Sequence, residues 1–431
     1  MDESVRQTDG GDPRYWETIR RLPPVVWIIS LGILVNRVGN FLPVFIVLYL
    51  VSKDFSALAA GLVLGAAGVG NVFGNAIGGY LADRLGRRWT IVLSMVTTAV
   101  FTAGIPLFDT LPPLIALVGL AGTTGQVYRP AAAALLVDAT TTSQERLAAF
   151  AVQRLALNIG AAIGGVVGGV VATISYVGMF LGNAAACLLF GAIAAGLLRG
   201  AIMPRPDLHQ HDGPATAEPE PGYRQALRDR RLRRFLVMTL IANFVYIQCN
   251  VGIPLHVHGM GLSPADFGLL MGLNGLLVAV FELPITGAVA TRRPGPVLAV
   301  GNVLTGIGLA LTGASTTMVL LAATVVLWTL GEMLYTSLSD AYVGAIAPPT
   351  MGGRYQGLYG ATIMLACGAG PLIGGAVYAV HPWALWAVCA AGGAWAAWLS
   401  LPPRSSRRAT PPAPAPGGTD QLVDDRSSNP H

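Results

Sequence analysis

The chain has 431 residues, of which 53% are hydrophobic and only 11% charged, with a formal net charge of +5. Soluble proteins carry about a quarter charged residues, so a water-soluble globular fold is excluded for most of this length. The basic excess is spread between apolar runs and not gathered into a patch, so it marks membrane topology, and no nucleic-acid partner is expected.

Apolar runs of about 20 residues span a bilayer. Twelve occur in chain order: 24–50, 56–80, 89–108, 112–138, 149–172, 176–198, 235–256, 266–290, 296–314, 317–345, 355–379 and 382–401. They are apolar all round, as membrane helices are, whereas a barrel strand alternates over about ten residues. Residues 1–23 precede the first run as an acidic, polar head, so no cleaved signal peptide is expected. Six runs fall in 24–198 and six in 235–401, on either side of a linker at 199–234. Within that linker, Met203–Pro221 is rich in proline, acid and histidine and should be flexible. The stretch Arg228–Arg234 is basic enough to lie against anionic lipid. Residues 402–431, rich in proline, serine and alanine, read as a disordered tail.

Charge sets the orientation. Of the 27 basic residues, Lys53 is the one placed in a loop on the far side, Arg37 and Arg129 fall inside apolar runs, and the others collect on the side of the termini. Both termini are therefore expected in the cytoplasm of a plasma membrane, and the arginine, glycine and alanine bias points to a bacterium. The four cysteines sit singly in apolar runs, and His209, His211, His256 and His258 lack further ligands at metal spacing. Neither a disulfide, a metal nor another cofactor is expected.

Between the second and third runs lies a short charged turn, Gly79, Asp83, Arg84, Gly86, Arg87 and Arg88, in the pattern G-x-L-A-D-R-x-G-R-R. This turn resembles the signature loop of the major facilitator superfamily. The resemblance implies an all-α membrane protein with twelve transmembrane helices in two pseudo-symmetric six-helix bundles that rock about a midplane site. It also implies that the turn latches the inner gate, with Asp83 facing the start of helix 11 near Gly352–Arg354 and Arg87 pairing with Asp138.

The halves echo each other weakly. Gly164–Gly169 of helix 5 aligns with Gly370–Gly375 of helix 11 at an offset of 206 residues, and Gly125–Gln126 aligns with Gly331–Glu332 at the same offset. A degenerate copy of the charged turn spans Gly287–Arg293, with Thr291 where the acid would stand. Glycines 70, 74 and 78 in helix 2, and 160, 164 and 168 in helix 5, form stripes that allow close helix approach. Helix 5 resembles the G-x-x-x-G-P-x-x-G-G pattern of the drug-exporting branches, except that Gly165 replaces the proline, which stands at Pro371 in helix 11.

Ionisable groups in apolar runs are functional candidates because each costs about 2.5–3.5 kcal/mol at a helix centre. Asn36, Arg37, Asn40, Gln126, Arg129, Tyr246, Gln248, Asn250 and Tyr335 are candidates for the substrate cavity, since in this superfamily helices 1, 4, 7 and 10 line it. Arg37 reads either as a cation for a substrate anion, as the partner of an acid from the other half, or as a structural arginine. Glu332, Asp340 and Glu282 are the candidate proton-coupling acids, Glu332 first because it lies deepest in its run; Glu282 reads first as a packing or capping residue. The expected function is secondary active transport by a monomer, as proton-coupled efflux of a small drug-like molecule or metabolite. Import of a small solute by symport or uniport is the alternative. A membrane-embedded enzyme would need a nucleophile–base pair or metal cluster, and the sequence offers none.

Overall fold

The computed structural model describes residues 13–198, 223–289, 292–348 and 351–401, without the side chains of 13–16, 143, 340 and 341. The linker's Met203–Pro221, the 402–431 tail, His209 and His211, and part of the 287–293 turn lie outside the described residues. The described residues form helices joined by short turns, with no strand among them. After the short helix Pro13–Arg20 come α1 (Pro24–Val51), α2 (Ala57–Leu85), α3 (Arg87–Gly104), α4 (Leu111–Ala139), α5 (Ser143–Ile174) and α6 (Tyr176–Leu197). The second half holds the short helix Tyr223–Ala226, then α7 (Arg230–Gly259), α8 (Pro264–Val289), α9 (Pro294–Thr312), α10 (Met318–Ile346), α11 (Gly352–Val380) and α12 (Pro382–Ser400).

Eleven of these are long and apolar enough to cross a membrane. The helix left out is α4, which is as long as α2 but is diluted by Thr123, Thr124, Gln126 and Arg129. Helix starts follow local capping chemistry. The Thr142 hydroxyl and the Glu145 side chain form a reciprocal capping box that begins α5, and Asp229 accepts from the Arg231 N–H to begin α7. These polar first turns are invisible to hydropathy, so α5 and α7 begin earlier than the expected 149 and 235. Arg154, expected near a helix end, is thereby about three turns inside α5. Between α2 and α3 the whole turn is Gly86, whose φ of 78° lies where side chains are disfavoured.

Packing repeats across the halves. In the first half α2 packs on α4, α3 on α4 and α6, and α1 on α5 and α6; in the second, α8 packs on α10, α9 on α10 and α12, and α7 on α11 and α12. Beside a smaller contact between α1 and α7, two large cross-contacts join the halves, α5 with α8 and α2 with α11. Both are glycine seams. A Cβ on Gly268 would lie 2.5 Å from the Gly165 carbonyl oxygen, and one on Gly61 would lie 2.5 Å from the Pro371 carbonyl oxygen. Gly61, Gly65 and Gly68 of α2 recur as Gly268, Gly272 and Gly275 of α8 with identical spacing. The stripe Gly160, Gly164 and Gly168 faces α1 instead, at Arg37, Val38 and Phe41, while Gly70, Gly74 and Gly78 face α4.

Cores divide unevenly along the helices. At the end carrying the α1–α2 turn, one core draws on both halves, from Phe45 and Val63 to Val257, Phe267 and Trp328, with the Phe45 and Phe267 rings edge to face at 5.6 Å. At the opposite, arginine-rich end there are two cores, one around Ile29, Met95 and Leu136 and the other around Leu232, Met238 and Tyr355. The halves are therefore joined at one end and separate at the other. Many large apolar side chains face outward, among them Phe73, Ile174, Leu283 and Trp398, as a lipid-facing surface requires.

Gly268→Val should overpack the joined end by about 1–3 kcal/mol and open it. A cysteine placed at Thr173, whose hydroxyl accepts from the Ala265 N–H across this seam, should then react faster with a membrane-impermeant maleimide. An unchanged rate would show that the seam does not hold that end closed.

Candidate functional site

Two helices break where the candidate residues cluster. α1 is interrupted at Asn40–Phe41, and α7 passes through a tighter turn at Gln248–Asn250. Pro43 and Pro254 follow these breaks, and neither can donate to the carbonyl four residues back. Broken helices near the midplane are where transporters expose polar backbone to a site.

The first half carries a cavity lined by Asn36, Arg37 and Asn40 from α1, Asn71 from α2, Thr98 and Thr102 from α3, and Gln126, Tyr128 and Arg129 from α4. Asn36 is buried and turns its amide to Met95 Sδ at 3.6 Å and Cys187 Sγ at 3.3 Å. Arg37 is half-buried and Arg129 exposed; neither makes a hydrogen bond or ion pair among the described residues. Among the described residues no ion pair joins Arg37 to an acid of the other half, which was one of its three readings.

The second half carries the counterpart cavity, lined by Asn243 and Tyr246 from α7, Asn302 and Thr305 from α9, and Glu332, Tyr335 and Thr336 from α10. Glu332 is the midpoint of α10. Its carboxylate accepts from the Tyr246 hydroxyl at 2.7 Å and from Asn274 Nδ2 at 3.0 Å, while Asn274 also donates to the Thr329 hydroxyl at 3.0 Å. Among the described residues, neutral donors alone hold this acid. That leaves it able to accept a proton without breaking a salt bridge. Asn243 donates to the Tyr335 hydroxyl at 2.9 Å.

Other candidates are placed elsewhere. Gln248, expected in the cavity, is fully buried and donates to the Phe244 and Gly370 carbonyls at 2.9 and 3.1 Å, bracing the α7 break against α11. Asn250 is half-buried at that break and lines neither cavity. Asp340 lies on α10, and its side chain is outside the described ones. Glu282 is buried and forms an ion pair with Arg154 across the α5–α8 contact, where Asn158 Nδ2 also donates to it at 3.1 Å.

At the arginine-rich end, Arg87 pairs with Asp138 and donates to the Ala134 carbonyl at 3.3 Å, tying α3 to α4. Arg88 donates to the Ala195 carbonyl at 2.6 Å, and Arg84 lies over the Tyr80 ring at 4.8 Å. Asp83 and Gly79 flank the turn; Asp83 is exposed, without a hydrogen bond or ion pair among the described residues. Its expected contact with the start of α11 is not made at this separated end. Among the described residues no group of three His, Cys, Asp or Glu side chains is placed to hold a metal ion.

Sequence reading missed Asn274, Asn71, Asn158 and the intramembrane role of Arg154. The 206-residue offset sets all four opposite glycine or apolar positions and could not have found them. Applied throughout, it places Arg37 opposite Asn243, Asn40 opposite Tyr246, Gln126 opposite Glu332 and Arg129 opposite Tyr335.

A membrane protein of repeated helical halves with paired cavities at broken helices is a transporter architecture. The sequence profile of the Major Facilitator Superfamily matches residues 29–296 and 255–427, and the chain belongs to that family. It is 27% identical over 365 residues to the uncharacterized MFS-type transporter YqjV of Bacillus subtilis (strain 168), covering 84% of this chain and 87% of that one. It is 24% identical over 335 residues to a Na(+), Li(+), K(+)/H(+) antiporter of Planococcus maritimus, covering 70% of this chain and 78% of the relative. Among solved structures, the nucleoside transporter NupG (D323A mutant) superposes with a TM-score of 0.73 at 15% identity, over 86% of this chain and 98% of that one. A POT family transporter in complex with a thioalcohol-conjugated peptide superposes at 0.72 with 12% identity, over 89% and 97%. These structural likenesses establish the fold.

Arg154→Ala should strand Glu282 with Asn158 alone. Breaking a buried pair costs about 3–5 kcal/mol, but Arg154 is 61% exposed, which brings the expected loss towards about 1 kcal/mol. Adding Glu282→Gln should restore part of the melting temperature. A double variant no more stable than Arg154→Ala would contradict a stabilising pair.

Proposed function

We propose that the protein is a proton-coupled secondary transporter of a small solute, working as a monomer by alternating access in a bacterial plasma membrane. In this reading all twelve long helices span the bilayer, and the halves 24–198 and 235–401 are the two rocking bundles. The distribution of arginine puts both termini in the cytoplasm. The separated end is then cytoplasmic, and the conformation is inward-facing. Monomeric action is supported because one chain completes both cavities and both glycine seams.

Glu332 carries the proton. The supporting observation is its position: an acid at the centre of a membrane helix, beside a cavity, held by Tyr246 and Asn274 and by no cation among the described residues. Asp340 and Glu282 are secondary candidates, and the Arg154 ion pair makes Glu282 better suited to joining the halves. Asp83 is the latch of the opposite state. As the cytoplasmic halves of α2 and α11 close, its carboxylate approaches the free amides at the start of α11, which favour an anion.

The same machinery serves two directions. Export in exchange for protons is supported by the antiporter among the relatives. Import together with protons is supported by the cation-lined first cavity, where a solute anion and a proton on Glu332 would not compete.

Glu332→Gln keeps the size and hydrogen-bonding shape of the neutral acid and removes its proton exchange. In proteoliposomes, solute movement driven by a pH gradient should fall to background, while solute binding survives. Glu332→Asp should retain part of the driven transport. Undiminished gradient-driven transport in Glu332→Gln would place the proton site elsewhere.

A further inference from the structure

The two cavities occupy matching stations of the repeat with opposite chemistry. In the second half, Asn243 and Tyr335 satisfy one another at 2.9 Å, and Tyr246 and Glu332 do so at 2.7 Å. At the stations of Asn243 and Tyr335 the first half has Arg37 and Arg129. Two guanidinium groups cannot satisfy one another. They line the same cavity and have no acid or carbonyl partner among the described residues.

Their placement is built, not incidental. Gly160 and Gly164 of α5 pack against the Arg37 Cβ and backbone at 2.5 and 2.7 Å from a notional Cβ, fixing that turn of α1 just before its break. Arg129 immediately precedes Pro130, a proline inside α4 that cannot donate to the Gln126 carbonyl. Asn40, Asn71 and Gln126 line the same cavity. Gln126 Oε1 is itself buried without a partner. The other deep cation, Arg154, is already paired with Glu282.

We infer that Arg37 and Arg129 form the binding site for an oxyanion group, a carboxylate or phosphoryl, on the transported solute. Planar guanidinium groups match such anions with paired N–H donors. A cationic solute meets two like charges there, and a neutral one leaves both uncompensated. The inference rests on the transporter reading and names its solute class. It also gives the coupling a sign. Glu332 is the one deep acid without a cationic partner among the described residues, so neutralising it lowers the repulsion felt by the anion. Proton and anion then assist one another, which favours movement in the same direction.

The test uses the full chain in nanodiscs of zwitterionic lipid, so that no lipid headgroup supplies the anion. Three aromatic probes of similar size are compared by thermal stabilisation: phenyl phosphate, benzyltrimethylammonium and benzyl alcohol. Phenyl phosphate should bind at least about tenfold more tightly than the other two, equivalent to about 1.4 kcal/mol. Arg37→Gln and Arg129→Gln should each remove that preference, with Arg37→Lys recovering part of it and Glu332→Gln strengthening it. Because Arg129 is exposed, its substitution keeps the test valid if Arg37→Gln folds poorly. Preference for the cation, no preference among the probes, or anion binding that survives both arginine substitutions would overturn the inference. If the cation is preferred while gradient-driven transport still requires Glu332, the solute class is wrong and the proton-coupled reading stands. Addition of phosphatidylglycerol should compete with phenyl phosphate only if a lipid headgroup reaches the same arginines; competition that abolishes probe binding would reassign the site to lipid.

Discussion

Charge in hydrocarbon has to be answered from within the protein, and that constraint organises this molecule. Each deep ionisable group costs about 2.5–3.5 kcal/mol on insertion scales, so few are present. Arg154 and Glu282 answer one another across the halves. Glu332 is held by Tyr246 and Asn274, an arrangement that serves a protonated or an ionised carboxyl. Arg37 and Arg129 have no answer among the described residues, and that is where a solute enters the account.

The glycine seams bring the backbones of the two halves together. Gly165 and Gly169 meet Gly268, while Gly61 and Gly68 meet the backbone of α11 near Gly368 and Pro371, with backbones in direct contact. In the proposed rocking these backbone contacts would separate and re-form together with the Arg154–Glu282 pair and the Thr173–Ala265 hydrogen bond that cross the α5–α8 seam. The single core at one end and the two cores at the other are the expected outcome of such a hinge in one of its two positions. The exposed Asp83 belongs to the same picture, because its proposed partner surface exists only when the separated end closes.

Much of this was legible in the sequence. Long apolar runs gave the helices, and the Gly79–Arg88 turn pointed to the family. The scarcity of deep charge singled out Arg37, Arg129 and Glu332. What hydropathy could not show were the polar first turns created by Thr142 with Glu145 and by Asp229, which moved Arg154 into the helix interior. It also could not show rotation about a helix axis. Gln248 and Tyr246 are two residues apart, yet one braces α11 and the other reaches Glu332. Asn274 was missed because its value lies in a partner 58 positions away in sequence.

The central claim is that Glu332 alternates between protonated and ionised forms during transport. Infrared difference spectroscopy on the reconstituted protein tests it most directly, by following the carbonyl stretch of a protonated carboxyl as pH and solute are varied. The account predicts a band that gains and loses intensity within the pH range that supports transport, responds to solute, and is missing in Glu332→Gln. A Glu332 that keeps one protonation state throughout that range, with transport still driven by the proton gradient, would contradict it.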